Sequence, residues 1–241
     1  MARTVLVTGG GTGIGRAIAA AFAAGGDQVF ITGRREAVLR EAAAALGSSV
    51  TPIVCDATDP EQVVGLRKQL PGQLDVLVNN AGGNQDFVAG PPADLREVAE
   101  QFRANLSTNL LSAVLTTGAV EEAMADGGAI VQLSSFAADR GAGSYGAAKA
   151  ALNAWNVMLA SRVGPRGITA NVVSPGYIVE TEFFARGMPP EFHQERVEET
   201  MLKRAGDPSD IAGVVHFLAS PAARHITAQV INVNGGARTT R

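Results

Sequence analysis

Short runs of apolar, mostly β-branched residues alternate with longer segments rich in alanine, leucine and glutamate along the chain. The short runs are almost continuously apolar, which is typical of parallel strands covered by helices on both faces. This order predicts one α/β domain over residues 1–241, with a single doubly wound parallel sheet of seven strands and helices on both faces. The predicted strands contain the stretches TVLV, QVFIT, VTPIV, LDVLV, AIVQL, ITANVV and QVINV.

The least regular part of the chain runs from about Pro175 to Lys203 and mixes aromatic residues, a proline pair and charges. It begins just beyond the carboxyl end of a predicted strand, the edge at which open α/β sheets bind ligands. We therefore interpret residues 177–203 as a lid over a substrate, with a surface insertion as the alternative. The apolar side chains that could line a pocket or simply pack within this lid are Phe183, Phe184, Met188 and Phe192.

Composition narrows the classes of function. The 241 residues carry a net charge of -3, which argues against a nucleic-acid partner. No apolar run approaches the roughly 20 residues that span a bilayer, and the first residues show no secretory signal pattern. We therefore expect a cytoplasmic protein with no membrane partner. The single cysteine, Cys55, is interpreted as a buried thiol at a strand end, and three histidines without ligand spacing predict no metal site.

A glycine-rich turn follows the first predicted strand in VLVTGGGTGIGRA. Glycine permits tight turns and close approach of the backbone to a ligand, and the N-terminus of the following helix suits a pyrophosphate. The spacing is T-G-x-x-x-G-x-G, from Thr8 to Gly15, and departs from the usual G-x-G-x-x-G fingerprint. The turn predicts a dinucleotide-binding site in a Rossmann-type sheet.

The end of the second predicted strand indicates which dinucleotide. About 20 residues beyond the turn, NAD-binding sheets carry a carboxylate for the ribose 2′-hydroxyl. Here the sequence is FITGRRE, with Gly33 in that place and Arg34 and Arg35 after it. A guanidinium offers planar donors that match a phosphate, so we predict NADP(H), with Arg34 at the 2′-phosphate. The alternative is that both arginines are solvated residues at the start of the next helix.

A second candidate site lies in GSYGAAKAALNAWNVMLASRV, a predicted amphipathic helix with Ser144 as its N-cap. Tyr145 and Lys149 are four residues apart and share one helical face. A neighbouring ammonium lowers the pKa of a phenol, which makes Tyr145 a candidate general acid for carbonyl reduction and general base for alcohol oxidation. Ser134 and Ser135 follow a strand and fall at the sheet's carboxyl edge, where one hydroxyl could hold the substrate oxygen.

Taken in chain order, these motifs resemble the short-chain dehydrogenase/reductase family over essentially the whole length. The motifs are TGGGTGIG, CDATD, NNAG, the Ser134–Ser135 pair, YGAAK, SPG and INVNGG. The resemblance implies that Ser135, Tyr145 and Lys149 form the catalytic group. It also implies a helical asparagine, for which Asn109 is the choice and Asn105 the rival.

The resemblance further implies a cofactor site and an assembly. Asp56 should face the adenine, and Tyr145 and Lys149 should also contact the cofactor. Thr181 stands one residue later after the PG pair than is common. A homo-oligomer is expected, with a tetramer favoured. The other implied cofactor contacts are Gly9, Thr12, Gly13, Ile14, Gly15, Ala57, Asn80, Ala81, Gly82, Pro175, Gly176 and Ile178.

The leading hypothesis is reversible hydride transfer between NADP(H) and a ketone or secondary alcohol. The alternative is a 3-oxoacyl-[acyl-carrier-protein] reductase, and a non-catalytic NADP(H)-binding regulator ranks below both. Glu121, Glu122 and Asp126 end the predicted helix before the serine strand, and their charge counts against docking an acidic carrier protein. The residues that could still offer a carrier protein a basic surface are Arg140, Arg162 and Arg166.

Overall fold

The computed structural model describes residues 2–181 and 190–239, and a seven-stranded sheet with parallel neighbours forms its centre. The strands are β1 (Thr4–Thr8), β2 (Gln28–Gly33), β3 (Val50–Val54), β4 (Leu74–Asn79), β5 (Met124–Leu133), β6 (Thr169–Pro175) and β7 (Val230–Val233). Their order across the sheet is β3-β2-β1-β4-β5-β6-β7. The predicted doubly wound, seven-stranded parallel sheet is confirmed.

Helices connect the strands. They are α1 (Gly13–Ala24), α2 (Glu36–Leu46), α3 (Pro60–Gln69), α4 (Gln85–Ala89), α5 (Leu95–Leu106), α6 (Ser112–Val120), α7 (Ala137–Arg140), α8 (Gly143–Val163), α9 (Pro190–Glu198) and α10 (Pro208–Leu218). A π-helical turn, Ser107–Leu111, joins α5 to α6 without a break. The sheet order reverses between β1 and β4, which places the carboxyl ends of these two strands at the switch point of the fold.

The sheet is buried on both faces, which explains its continuous apolar strands. Successive strand residues point to opposite faces. On one face, Val5 and Val7 share an apolar cluster with Phe22 of α1. On the other, Leu6 shares a cluster with Leu159 of α8. Helices on both faces therefore fix the register of the strands and the position of their carboxyl ends.

The segment EEAMADGG departs from its predicted helix. Only Glu121–Ala123 makes a helical turn, of the 3-10 type, and β5 begins at Met124, so Asp126 lies in a strand. The reason is the glycine pair that follows. Gly127 has a φ of 77°, and a Cβ on Gly128 would lie 2.8 Å from the carbonyl oxygen of Asp75. The two glycines let β5 pass close to β4, where the register between these strands shifts.

The predicted N-cap of α8 is also wrong. The helix begins at Gly143, its N-cap is Ala142, and no side chain of that residue caps it. Ser144 lies inside the first turn, and its hydroxyl donates to the Asp86 carboxylate, 2.5 Å away. A carboxylate from another helix therefore takes the place that the serine was expected to fill.

The predicted lid lies only partly within the described residues. Ile178 pairs with Gly206 in an isolated parallel bridge, and α9 carries Phe192. Phe183, Phe184 and Met188 lie outside the described residues. Among the helices of the described ranges, none has the length and apolar character needed to cross a bilayer.

Replacing Leu77 with Ala tests the packing between the sheet and α8. Leu77 is fully buried in β4, so we expect the free energy of unfolding to fall by about 2–5 kcal/mol, measured by urea denaturation. Leu202 is 64% exposed, and Leu202→Ala is the matched control, expected to change stability by less than about 1 kcal/mol. Equal losses in the two variants would contradict this account of the core.

Candidate active site

The glycine-rich turn between β1 and α1 is shaped by contacts that exclude side chains. Gly9 has a φ of 66° and Gly13 a φ of 50°, both in the left-handed region that favours glycine. A Cβ on Gly15 would lie 2.2 Å from the carbonyl oxygen of Gly9. The Thr181 side chain packs against the turn, because a Cβ on Gly13 would lie 3.4 Å from it. The turn is thus compact and closely covered.

Two polar residues hold this turn against the end of β4. The Asn80 side-chain amide donates to the carbonyl oxygens of Thr8 and Gly9, at 3.0 and 3.1 Å. The Thr8 hydroxyl accepts from the backbone N–H groups of Asn80 and Ala81, both at 3.0 Å. Asn80 was predicted to contact the cofactor, whereas its side chain here fixes the turn. The sequence motif included Thr8 but assigned its side chain no role, although a polar residue at the end of an apolar strand was a usable signal.

The start of α1 fits a dinucleotide pyrophosphate. Thr12 is the N-cap, with extended backbone and no side-chain cap hydrogen bond, and the first turn contains no acidic residue. The first N–H groups of a helix lack partners within that helix and attract anions. Thr12, Gly13, Ile14 and Gly15 therefore lie where the sequence placed the phosphate-binding segment.

The residues predicted for the adenosine end lie beyond the ends of β2 and β3. Arg34 follows β2 and is exposed, while Arg35 is the N-cap of α2. The Asp56 carboxylate accepts from the N–H and hydroxyl of Thr58, at 3.0 and 2.8 Å. Ala57, next to it, is buried. A guanidinium and a carboxylate thus flank the same edge of the sheet, on the β1 side of the switch point.

The predicted catalytic side chains converge beyond β5. Ser135 and Tyr145 share a side-chain hydrogen bond. The Lys149 ammonium lies 5.9 Å from the centroid of the Tyr145 ring and donates to the carbonyl oxygen of Leu133 at 2.8 Å. Ser134 points elsewhere, because its hydroxyl donates to the carbonyl oxygen of Lys149 at 3.3 Å. The structure therefore separates the roles of the two adjacent serines and brings Ser135 to Tyr145.

The predicted effect of Lys149 on the phenol is corrected by the structure. Burial raises the pKa of Tyr145 to about 12, although the hydrogen bond from Ser135 opposes the rise. Burial also lowers the pKa of Lys149 to about 7. Both groups are almost fully removed from water, which disfavours the charged form of each. In the protein alone, desolvation exceeds the stabilising effect that a neighbouring ammonium was expected to have on the phenolate.

The two candidate asparagines occupy different positions. Asn109 lies in the π-helical turn, a feature often found at functional sites, and its amide donates to the carbonyl oxygen of Gly83 at 2.9 Å. A Cβ on Gly82 would lie 2.7 Å from the Asn109 side-chain oxygen and 3.2 Å from the Lys149 ammonium nitrogen. Asn105 lies one turn earlier, where its amide donates to Asp86. Only Asn109 therefore shares the Gly82 contact with Lys149.

The segment predicted for the nicotinamide end is anchored at its start. The Pro175 carbonyl oxygen accepts from the Phe136 N–H, and the Gly176 N–H donates to Val233, both at 3.0 Å. Ile178 is buried, and its carbonyl oxygen accepts from the Thr181 hydroxyl at 3.4 Å. These bonds direct the chain from the end of β6 back over the glycine-rich turn. Thr181 therefore reaches Gly13, although it stands one residue later after the PG pair than is common.

Sequence comparisons identify the family to which a chain with this fold and these motifs belongs. The chain matches the family model described as enoyl-(acyl carrier protein) reductase over residues 9–238. It is 39% identical to an uncharacterized oxidoreductase of Methylorubrum extorquens, over 98% of each chain. It is 35% identical to the 3-oxoacyl-[acyl-carrier-protein] reductase of Escherichia coli, over 97% of this chain and 96% of that relative.

Solved structures give the same result. A short-chain dehydrogenase/reductase of Brucella melitensis, described as a glucose/ribitol dehydrogenase, superposes with a TM-score of 0.88 at 35% identity, covering 99% of this chain and 97% of that one. A blue fluorescent protein from a metagenomic library, solved in complex with NADPH, gives 0.84 at 34% identity and 98% of both chains. The chain belongs to the short-chain dehydrogenase/reductase family and is an oxidoreductase of that family.

Replacing Lys149 with Met tests the cost of burying its charge. Between pH 7 and 10 the unfolded chain holds the lysine proton and the folded chain has lost it, because the pKa falls from 10.5 to about 7 on folding. Stability relative to Lys149→Met should therefore rise with pH, by up to about 1.4 kcal/mol per pH unit. Urea denaturation of both proteins across this range measures the difference.

The range stops at pH 10 because the Tyr145 phenol begins to ionise there in the unfolded chain. The exposed Lys68 supplies the control, since Lys68→Met should follow the unaltered protein at every pH. A pH-independent difference between the unaltered protein and Lys149→Met would show that the lysine keeps its charge in the folded state.

Proposed function

We propose that residues 1–241 form one oxidoreductase domain that transfers a hydride between NADP(H) and a ketone or secondary alcohol, with a substrate lid at about 177–203. The observation that carries this proposal is the convergence of Ser135, Tyr145 and Lys149 beside the glycine-rich turn, across the switch point of the sheet. The bridge between Ile178 and Gly206 brings the two ends of this segment together near the end of β6.

The side chains supply proton chemistry in this reaction. A nicotinamide cofactor, when bound, would supply or accept the hydride at the substrate carbon. Ser135 and the Tyr145 hydroxyl hold the substrate oxygen, and in reduction the phenol proton moves to that oxygen, which leaves a phenolate. The pKa of the Tyr145 phenol lies well above neutrality, so Tyr145 is protonated at neutral pH, the form that reduction requires. Lys149 titrates near neutrality, so its ammonium can stabilise the phenolate and assist its reprotonation.

The proposed cofactor residues come from the glycine-rich turn, from the ends of β2, β3, β4 and β6, and from α8. Arg34 is proposed to bind the 2′-phosphate, Asp56 to face the adenine, and Lys149 to contact the nicotinamide ribose. The NADPH complex of the metagenomic relative supports the choice of a phosphorylated dinucleotide. The remaining proposed contacts are Gly9, Thr12, Gly13, Ile14, Gly15, Ala57, Asn80, Ala81, Gly82, Tyr145, Pro175, Gly176, Ile178 and Thr181.

The second candidate function is 3-oxoacyl-[acyl-carrier-protein] reductase, which the named Escherichia coli relative favours. Docking an acidic carrier needs unpaired basic residues near the cleft. The three arginines considered for that role are each in an ion pair. Arg140, near the site, pairs with Glu199, whereas Arg162 and Arg166 pair with Glu121 and Asp126 at the amino end of β5, the sheet edge opposite the site. This local neutralisation is the reason for preferring a small carbonyl substrate. The intact catalytic group places a non-catalytic regulator below both.

A homo-oligomer, with a tetramer favoured, remains a prediction. Exposed apolar side chains lie along α5, where Leu95, Phe102 and Leu106 are spaced to share one face. Val157 and Met158 of α8 are exposed as well. Burying such surface between subunits would stabilise an assembly.

Replacing Arg34 with Ala tests the choice of cofactor. Loss of a hydrogen bond to a charged phosphate should weaken NADPH binding by about 1.5–3 kcal/mol, while NADH affinity barely changes. Fluorescence titration with each nucleotide measures both dissociation constants. Arg35→Ala is the neighbouring control and should preserve the preference for NADPH. Equal losses for the two nucleotides in Arg34→Ala would refute the assignment.

Replacing Tyr145 with Phe tests catalysis. Without the phenol proton, turnover should fall by at least about 100-fold, while NADPH still binds. The assay follows NADPH absorbance with a panel of ketones, diketones, quinones and β-ketoacyl thioesters. Ser134→Ala is the control, because it removes a neighbouring hydroxyl that bonds the backbone oxygen of Lys149 and not the Tyr145 phenol. Turnover without net change in NADPH absorbance would instead indicate epimerase or dehydratase chemistry.

A further inference from the structure

The carboxylate of Asp86 gathers three hydrogen bonds from two other helices. One oxygen accepts from the Ser144 hydroxyl at 2.5 Å and from the Asn105 side-chain amide at 2.9 Å. The other oxygen accepts from the backbone N–H of Tyr145 at 3.1 Å. Asp86 belongs to α4, whereas Asn105 lies on α5, and Ser144 and Tyr145 lie on α8. One side chain therefore ties three helices together at the residue proposed to move the proton.

The partners of Asp86 are all donors, which explains the need for a carboxylate. The Asn105 amide is oriented by its own oxygen, which accepts from the Gln85 N–H at 3.1 Å, so its NH₂ group faces Asp86. A backbone N–H donates by nature, and the Ser144 hydroxyl, which accepts from Asn105 at 2.7 Å, donates its proton to Asp86. An amide at position 86 would turn an NH₂ group toward at least one of these donors and lose that bond.

The Asp86 carboxylate also replaces the missing cap of α8. Ala142 gives the helix no side-chain cap, and a negative charge at a helix N-terminus is stabilised by the helix dipole. Gly143 permits the close approach, because it has a φ of 58° and a Cβ there would lie 2.9 Å from an Asp86 oxygen. Tyr145 is the third residue of α8, so a hydrogen bond to its N–H fixes the backbone from which the phenol projects.

The same network reaches the other side of the candidate site. The backbone oxygen of Asn105 accepts from the Asn109 side-chain amide at 3.0 Å. Asn109 in turn contacts Gly82 together with Lys149. A displacement of the Asp86 cap would therefore shift the Tyr145 phenol, together with α8, relative to Asn109 and the π-helical turn.

We propose that Asp86 is a positioning residue, whose carboxylate caps α8 from α4 and holds the Tyr145 phenol in its reactive position. Its importance for turnover rests on the proposed function, whereas its effect on the position of Tyr145 does not. The Asp86→Asn variant should lower kcat by about 10- to 100-fold, the range for small misplacements of a reacting group. KM should change much less, because substrate contacts other than Tyr145 remain.

The test uses the full chain labelled with 3-fluorotyrosine in a Tyr177→Phe background. The sequence contains two tyrosines, so this background leaves Tyr145 as the one source of a fluorine resonance. The variants are Asp86→Asn and the milder Ser144→Ala, which keeps the carboxylate and removes one donor. Asp94→Asn is the matched control, because Asp94 caps α5 through the N–H groups of Arg96 and Glu97, away from Tyr145.

We expect the Tyr145 resonance to shift or broaden in Asp86→Asn, to change in the same sense but less in Ser144→Ala, and to stay in place in Asp94→Asn. Fluorescence titration should give similar NADPH affinity for all of them. An unmoved resonance in Asp86→Asn, or an equal change in Asp94→Asn, would overturn the proposal. Absence of turnover in the unaltered protein with every ketone tested would overturn the proposed function instead, and the resonances would still decide the role of Asp86.

Discussion

The burial of the Lys149 ammonium constrains the whole candidate site. Its nitrogen donates to the carbonyl oxygen of Leu133, the last residue of β5, in surroundings that exclude almost all water. A buried charge with a neutral partner is costly, so the pKa of the lysine falls to about 7. Lys149 is held in this position because its helix, α8, packs against the sheet through fully buried residues such as Leu152 and Leu159. The reactive side chains are therefore placed by the apolar core beneath them.

A single loop links the nucleotide side of the site to its catalytic side. Residues 80–86, which form the loop after β4 and the start of α4, make contacts in both directions. Asn80 bonds the glycine-rich turn, Gly82 and Gly83 contact Asn109, and Asp86 caps α8. Each contact is a hydrogen bond or a close approach that a larger side chain would prevent. Because this loop starts at the switch point of the sheet, a change in the turn and a change in α8 both act on the same backbone.

Charge on the surface near β5 is balanced locally. Arg162 pairs with Glu121 at 2.5 Å and Arg166 pairs with Asp126 at 2.9 Å, with side chains that remain partly exposed. Exposed pairs contribute little to stability and are screened by salt, so their main effect is on the field that an approaching partner meets. Paired arginines attract an acidic protein less than free ones would. The family fold is thus shared with a carrier-protein reductase, while these two arginines, at the amino end of β5, are paired with carboxylates.

The sequence by itself determined the seven strands, the glycine-rich turn and the four-residue spacing of Tyr145 and Lys149. These features depend on local periodicity and on backbone conformations that single residue types allow or forbid. Tertiary structure decided which asparagine approaches Gly82 together with Lys149, what bonds Ser144, and in which direction the pKa values of Tyr145 and Lys149 move. Those properties depend on contacts between distant parts of the chain: Asp86 and Ser144, for example, are 58 residues apart. Hydrogen-bond partners and desolvation are set only when the helices pack, and no local pattern contains that information.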